Sequence, residues 1–348
     1  MPELRLVLMG TGPFAVPSFE ALAAAGYAIA TVVTRPERPG PGNRPPEKSP
    51  VRQWAEARQL PVIAPDSINT TEAIETVRGV QPDLLVVCDY GQILKPAALA
   101  AARLGGINLH GSLLPAYRGA APVQWAVLCG DQETGVSVIH MTPQLDAGPV
   151  ITSRRTPIAA KETAGELEAR LAELGVEATL EAVAALANLA QAVPTQAAPG
   201  EAAPGEAAPA QAALGEGLRG QPQDAQAASR APRLSKADGR IVWTRPAAEL
   251  EWHVRGMQPW PGAFTEVPAG EGRRAQSTRL MITEVEATDR AVPEQVAAGT
   301  VEIEGDVLLV AAGDFYLRLE RLKPAGKREM ASEEWLRGRP LRAGTVLH

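Results

Sequence analysis

The sequence predicts an α/β domain built on a mostly parallel sheet, followed by a low-complexity linker and a small β-barrel. Three observations carry this. Strand-length apolar runs alternate with helix-period segments through the first half of the chain. Residues 193–229 then lose almost all large apolar side chains. Beyond them come short alternating segments, broken by Gly and Pro.

LRLVLMG is a short apolar run ending in glycine. GTGPFAVPSFEALAAAG reads as a turn feeding a helix, with Leu, Ala and Phe at helical spacing and Gly26 closing it. YAIATVVT is the second strand, so the chain opens β-α-β, which implies a parallel sheet with covering helices. The first turn carries Gly10, Gly12 and Ala15, a G-x-G-x-x-A pattern. A dinucleotide fold needs an acidic residue after the second strand, and Thr34-Arg35 stands there instead. The preferred reading is a tight turn that needs small residues. Residues 35–51 are too rich in Pro and Gly for regular structure. Arg35, Arg38, Arg44 and Lys48 within them could reach phosphates, and a solvated loop is the other reading.

A helix from Val51 to Gln59, a strand in PVIA, a helix near Thr71 to Gly79 and a strong strand in DLLVVCDYG continue the alternation. Gly91, Gln92, Ile93 and Leu94 then leave backbone groups at a strand's C-terminal end, where open α/β sheets take ligands. A helix of alanines leads to the most informative stretch, INLHGSLLPAYRGAAPVQW over residues 107–125. Period-two alternation places Asn108 and His110 on one face of a strand. Both side chains suit a developing oxyanion. Asp146 follows another strand-like run, Val136 to Met141, inside QLDAGPV. Asn, His and Asp at the C-terminal ends of neighbouring strands could form a site for acyl transfer. A lone histidine on a strand is more often packed or surface-exposed; the company of Asn108, small residues and Asp146 is what singles out His110. His140 lacks such company and reads as structural. His253 falls on a short helix and His348 is terminal.

At 348 residues the chain has room for two domains, and 45% hydrophobic residues is ordinary for a globular protein. No apolar run approaches membrane-spanning length, and the first strand follows Met1 too closely for a secretory or transit segment, so a cytoplasmic location is expected. Cys88 and Cys129 lie in apolar runs, not at metal-pair spacing, and are expected to be buried thiols in a reducing compartment. A net charge of −6 gives no global attraction for nucleic acid, so any such partner needs local basic surface.

From Thr163 to about Ala190 the pattern is helical, with Leu167, Leu171, Leu174, Leu180 and Leu186 among Ala and Glu. The tandem AAPGEAAPGEAAPAQ marks the linker. Ile241 to Trp243 reads as a strand and Ala247 to Gly256 as a short helix, ahead of the barrel segments. Lys323, Lys327, Arg328, Arg337, Arg339 and Arg342 concentrate positive charge near the end, and such a charge run is more often a solvated face.

HGSLLPAYRGAAP followed by GDQETGVSVIHMTPQLDAGPVI resembles the central signature of the 10-formyltetrahydrofolate-dependent formyltransferases. The resemblance puts that family's catalytic trio on Asn108, His110 and Asp146, and its folate-contacting Ser-Leu-Leu-Pro on Ser112, Leu113, Leu114 and Pro115. The opening MGTGPFAVPSFEAL, the 34–51 loop, RLSKADGRIVW, QPWPGAF and LKPAGKREM are similar to the branch that acts on a charged tRNA. It departs from that branch at Gly12, at residues 42–46, where a compact basic cluster is usual, and at Asp89, where a small or apolar residue is usual.

The resemblance implies a Rossmann-like catalytic domain over residues 1–189, the linker over 190–230 and an OB-like tRNA-binding domain over 231–348. It implies transfer of a formyl group from 10-formyltetrahydrofolate, without a metal, to the amine of methionyl initiator tRNA, by a monomer with no membrane attachment. Asn108 and His110 would donate to the formyl oxygen, while Asp146 orients His110 and helps take the amine proton. The pterin would lie near Gly91 to Leu94 and Asp146. Arg35, Arg38, Arg44, Lys48, Lys323, Lys327 and Arg328 would meet tRNA phosphates. A formyltransferase for a small amine (glycinamide ribonucleotide or an amino sugar) and a non-catalytic RNA-binding protein remain as alternatives. A nicotinamide-dependent dehydrogenase is a distant third. Deleting residues 197–217 should leave formyl transfer intact if they are only a spacer; a large fall in turnover would assign them a role.

Overall fold

The computed structural model describes residues 4–37, 47–192, 220–268, 277–338 and 341–348. Contacts divide the chain into two compact units. One comprises Met1–Pro122, Glu133–Pro157 and Glu168–Pro232; the other comprises Val123–Gln132, Ile158–Leu167 and Arg233–His348.

The first unit holds a seven-stranded sheet. Its strands are β1 (Arg5–Gly10), β2 (Ala28–Val33), β3 (Val62–Ile63), β4 (Leu84–Cys88), β5 (Gly106–His110), β7 (Glu133–His140) and β8 (Val150–Pro157). The order is β3-β2-β1-β4-β5-β7-β8. The first five are parallel, β7 runs against them, and β8, antiparallel to β7, returns to their direction. Strand order reverses between β1 and β4, the switch point at which such sheets open a crevice at their C-terminal ends.

Both faces of the parallel part are covered, which explains runs that are apolar at every position. Val7, Met9, Leu85 and Val87 pack on one face with Ile74, Val77, Ala98 and Leu99. These last four belong to α3 (Thr71–Gly79) and α4 (Pro96–Leu99). α1 (Val16–Ala24) buries Phe19 and Leu22. α6 (Ala164–Ala192) brings Gly175 against Leu109 so closely that an added Cβ would stand 2.7 Å from its Cδ2, and Thr179 bonds Ser18. α2 (Pro50–Ala57) starts one residue earlier than expected: Ser49 Oγ accepts from Arg52 N and Pro50 opens the first turn.

The glycine turn after β1 has a steric cause. A Cβ on Gly10 would lie 2.8 Å from the Cys88 carbonyl and 2.9 Å from the Phe19 ring. One on Gly12 would lie 1.7 Å from Asp89 Oδ2. The turn thus needs small residues because β4 and Asp89 press on it, and a carboxylate stands where a dinucleotide fold leaves room for a pyrophosphate.

In the second unit, β10 (Phe264–Val267), β11 (Thr278–Ala291), β12 (Val301–Glu304), β13 (Val307–Ala311) and β14 (Phe315–Pro324) form the path β10-β11-β14-β13-β12, with β15 (Met330–Ala331) paired to β14. The end of the chain joins the two edges. Glu266 and His348 exchange backbone bonds of 2.7 and 3.1 Å on the β10 side. Leu347 N donates to Gly299 O at 2.9 Å and Val301 N to Thr345 O at 2.8 Å on the β12 side. The chain end thus bridges the two edge strands of the path, which gives the sheet a barrel-like form. Early pieces of the chain pack with this unit. Leu128 lies against Gly256, Gly130 against Trp252 and Gly165 against Pro259, and Arg255 donates to the Glu162 carbonyl at 2.9 Å.

Three expectations are corrected. Ile241 to Trp243 is not a strand: Arg240 makes a single bridge to Phe264, after which Arg245 N turns back to Val242 O. Cys88 is buried, and desolvation holds its thiol well above the usual value, but Cys129 is exposed. Cys129 follows the last residue of α5 (Pro122–Leu128), just before Gly130 takes φ +71°, so the chain turns it outward. Within the linker stretch, residues 220–230 are held against the first unit, because Gln221 bridges Val150 and Arg230–Ala231 forms β9, parallel to β6 (Arg118–Gly119). Residues 193–219 lie outside the described residues.

Gly10→Ala should cost about 1–3 kcal/mol through overpacking at Cys88 and Phe19. An unchanged urea-unfolding midpoint would mean that the turn is not pressed in this way.

Candidate active site

β5 sets the site. It pairs with β4 on one side, parallel, and with β7 on the other, antiparallel. Ile107 and Leu109 are buried on one face, while Asn108 and His110 share the other. His110 is 5% exposed and Asn108 is half-buried. His110 Nε2 lies 2.9 Å from the Tyr117 carbonyl. A carbonyl only accepts, so this nitrogen carries the proton and Nδ1 is the ring atom left for chemistry. Nδ1 stands 3.8 Å from Asp146 Oδ2. The same Oδ2 accepts from Gly119 N at 3.0 Å.

The carboxylate arrives by a route the sequence did not suggest. Because β7 runs antiparallel, its last residue, His140, sits opposite Ile107, while Ser137 sits opposite His110. The following loop leaves beside the start of β5, with Met141 N donating to Gly106 O at 2.8 Å, and folds back along the strand to bring Asp146 to His110. Asp146 therefore does not come from a C-terminal strand end beside that of β5, as expected. Gly148 permits the fold-back: an added Cβ would stand 1.7 Å from the His140 carbonyl. Asp146, Tyr117 and Asp89 adopt φ of +49°, +62° and +46°, conformations that non-glycine residues adopt sparingly and that gather at functional loops.

The Ser-Leu-Leu-Pro turn is built from within. Ser112 is fully buried and its hydroxyl donates to the Ala116 carbonyl at 2.6 Å. Ser137 Oγ donates to Ser112 O at 2.8 Å and accepts from Leu114 N at 3.1 Å. The Ser112 hydroxyl thus closes the turn, which leaves the half-buried Leu113, Leu114 and Pro115 as its outward surface.

The loop after β4 divides similarly. Gly91 has φ +78° and faces the Arg35 guanidinium, 3.2 Å from where a Cβ would lie. Gln92 Oε1 accepts from Ile68 N at 2.9 Å, so its side chain anchors a neighbouring loop. Leu94 is a core residue, and Ile93 is 64% exposed. Asn69, which the sequence did not single out, holds this loop through Ile93 O (2.8 Å) and Lys95 N (2.7 Å). Burial pushes the Tyr90 hydroxyl up to about 12 despite nearby Arg35. Burial, then the charge of Asp89, raises the Glu168 carboxyl.

Of the basic residues expected at a tRNA, Arg35 is half-buried beside Gly91, whereas Lys48 is bound to Glu56 at 2.6 Å and Arg328 to Glu334. Lys323 and Lys327 are exposed. Arg38 and Arg44 lie outside the described residues. Among the described residues no group of three or more His, Cys, Asp or Glu could hold a metal ion, and no helix is long and apolar enough to cross a membrane.

An open α/β sheet with a polar trio on one strand face and its folded-back loop defines the class. Residues 4–183 match the formyl transferase family model and residues 233–340 match the model of the formyl transferase C-terminal domain. The methionyl-tRNA formyltransferase of Rhodopirellula baltica is 50% identical over 99% of this chain and 97% of its own length. That of Desulfotalea psychrophila is 39% identical over 99% and 96%. The chain belongs to the formyl transferase family, among the methionyl-tRNA formyltransferases. In fold it is similar to an N-formyltransferase from Helicobacter canadensis solved with folinic acid and dTDP-3-aminofucose, with a TM-score of 0.61 and 15% identity over 91% of this chain and 98% of that one.

Gly148→Ala should loosen the 141–149 loop, seen as faster amide exchange there with β1 and β4 unchanged. Unchanged exchange would show that the loop does not rest on His140.

Proposed function

We propose that this chain transfers the formyl group of 10-formyltetrahydrofolate to the α-amine of methionyl initiator tRNA. The observation that carries the reading is likeness at 50% identity to a methionyl-tRNA formyltransferase through both units, the barrel included. A glycinamide or amino-sugar acceptor is not favoured by relatives so named.

The amine attacks the formyl carbon, and negative charge grows on the formyl oxygen. Asn108 presents an amide N–H beside His110 on the same strand face, and two positioned donors are what such an oxygen needs. His110 is oriented by the Tyr117 carbonyl, which turns Nδ1 to the site. With a second proton on Nδ1 the ring would be an imidazolium whose N–H points to the oxygen, its charge balanced by the Asp146 carboxylate, Oδ2 of which stands 3.8 Å from Nδ1. Asp146 takes the amine proton, directly or through a water, as the new C–N bond forms. The bond from the formyl carbon to the folate nitrogen then breaks, and that nitrogen takes up the proton that Asp146 removed from the amine. No covalent intermediate on the protein is needed.

Gly91 backbone, Ile93 and the Leu113–Pro115 surface would receive the pterin, with Gln92, Leu94 and Ser112 shaping the walls. The expected tRNA set would contribute unequally. Arg35, Lys323 and Lys327 can meet phosphates directly, whereas Lys48 and Arg328 must first leave their carboxylates, an exposed exchange costing about 1 kcal/mol or less. The chain would act as a cytoplasmic monomer.

Offered charged initiator tRNA and glycinamide ribonucleotide in parallel, the protein should formylate only the tRNA. Asn108→Ala, His110→Ala and Asp146→Ala should each lower kcat by about a hundredfold or more while melting curves stay cooperative. Near-normal turnover in any of the three would overturn its role, and transfer only to the small amine would overturn the acceptor.

A further inference from the structure

Residues 220–232 lie as a strap over the two loops that orient His110 and Asp146. At one end Gln221 and Val150 exchange backbone bonds of 2.8 and 2.9 Å. At the other, Arg118 N donates to Ser229 O at 2.9 Å, Tyr117 N to Ser229 Oγ at 2.8 Å, and Ala120 N to Ala231 O at 2.8 Å. Gly119, with φ +134°, lets this second end approach: a Cβ there would stand 2.4 Å from the Ala231 carbonyl.

Between the two ends sits the half-buried Gln223. Its Nε2 donates to Asp146 O at 2.9 Å and to Gly148 O at 2.7 Å. Its Oε1 accepts from Arg118 Nε at 3.0 Å and Nη2 at 2.7 Å. One primary amide thus spends both its protons and both its lone pairs, a complete set that no other side-chain group supplies.

We propose that Gln223 is a positioning residue for formyl transfer, clamping the Asp146 loop to the Tyr117–Gly119 loop; the inference rests on the roles given above to His110 and Asp146. The two carbonyls it holds flank Ala147, so together they set the peptide orientation that keeps Asp146 left-handed and its carboxylate on Gly119 N. The Arg118 it holds lies between Tyr117, whose carbonyl orients His110, and Gly119. Without the amide, the loop joining β7 to β8 keeps its ends but loses its tie beside the carboxylate. A misplacement of about 1 Å can cost about a hundredfold in rate.

Two variants divide the amide's functions. Gln223→Leu removes every bond. Gln223→Glu keeps the acceptor for Arg118 but turns an oxygen toward the two carbonyls, removing only the tie to the Asp146 loop. Both should lower kcat about tenfold to a hundredfold, leave KM for the formyl donor and charged tRNA within about threefold, and speed amide exchange over 143–149 without lowering the melting temperature appreciably. A merely structural glutamine would lower stability and leave the kcat of the folded protein unchanged. Full kcat in either folded variant would overturn the proposal, even if exchange rises. A wild-type chain that does not formylate the tRNA would instead overturn the functional reading, an outcome seen before any variant is compared.

Discussion

The strand direction reverses between β5 and β7, and the site depends on how the chain accommodates that reversal. A parallel neighbour would deliver its loop at the same end as His110. An antiparallel one delivers it at Gly106, so a carboxylate meant for His110 must travel back along the strand face. Three local features of the 141–149 loop follow from this return path. Gly148 has no side chain because the His140 carbonyl occupies the space. Asp146 is left-handed because the loop turns there to aim its carboxylate. The two carbonyls left by that turn are satisfied by Gln223, as half-buried amide acceptors must be.

Polar groups around the site divide into those that build it and those left open. Ser112, Ser137, Gln92 and Asn69 spend their side chains on backbone groups of neighbouring loops, which rigidifies walls that would otherwise fray. His110 spends one nitrogen on Tyr117 O and keeps the other toward Asp146. Ile93 and Leu145, on the loops after β4 and β7, are exposed apolar side chains. In the second unit the chain end bridges the edge strands β10 and β12, and Lys323 and Lys327 stand exposed on and after β14.

The fold class was legible because its signals are local. A period of two places Asn108 and His110 together, and continuous apolar runs mark strands covered on both faces. The signature around His110 and Asp146 carried the family as well. Ile241 to Trp243 misled because two buried side chains around an exposed one satisfy the strand pattern, while only one backbone bridge forms. Cys129 misled because an apolar run continues past the helix end, where Gly130 redirects the chain.

The sequence by itself determined the two-part architecture, the glycine turn, the shared face of Asn108 and His110, and the membership that Asp146 completes. Tertiary structure alone decided the direction of β7, the inward use of Ser112, the bridging of the barrel's edge strands by residues 345–348 and the clamp by Gln223. The reason is range. Spacing along the chain encodes which face a side chain takes, but a bond between groups 77 or 105 residues apart leaves no periodic trace in either segment. Gln223 stands at the end of a stretch whose composition forecasts no structure, and its significance comes from the carbonyls and the guanidinium that the folded sheet brings to it.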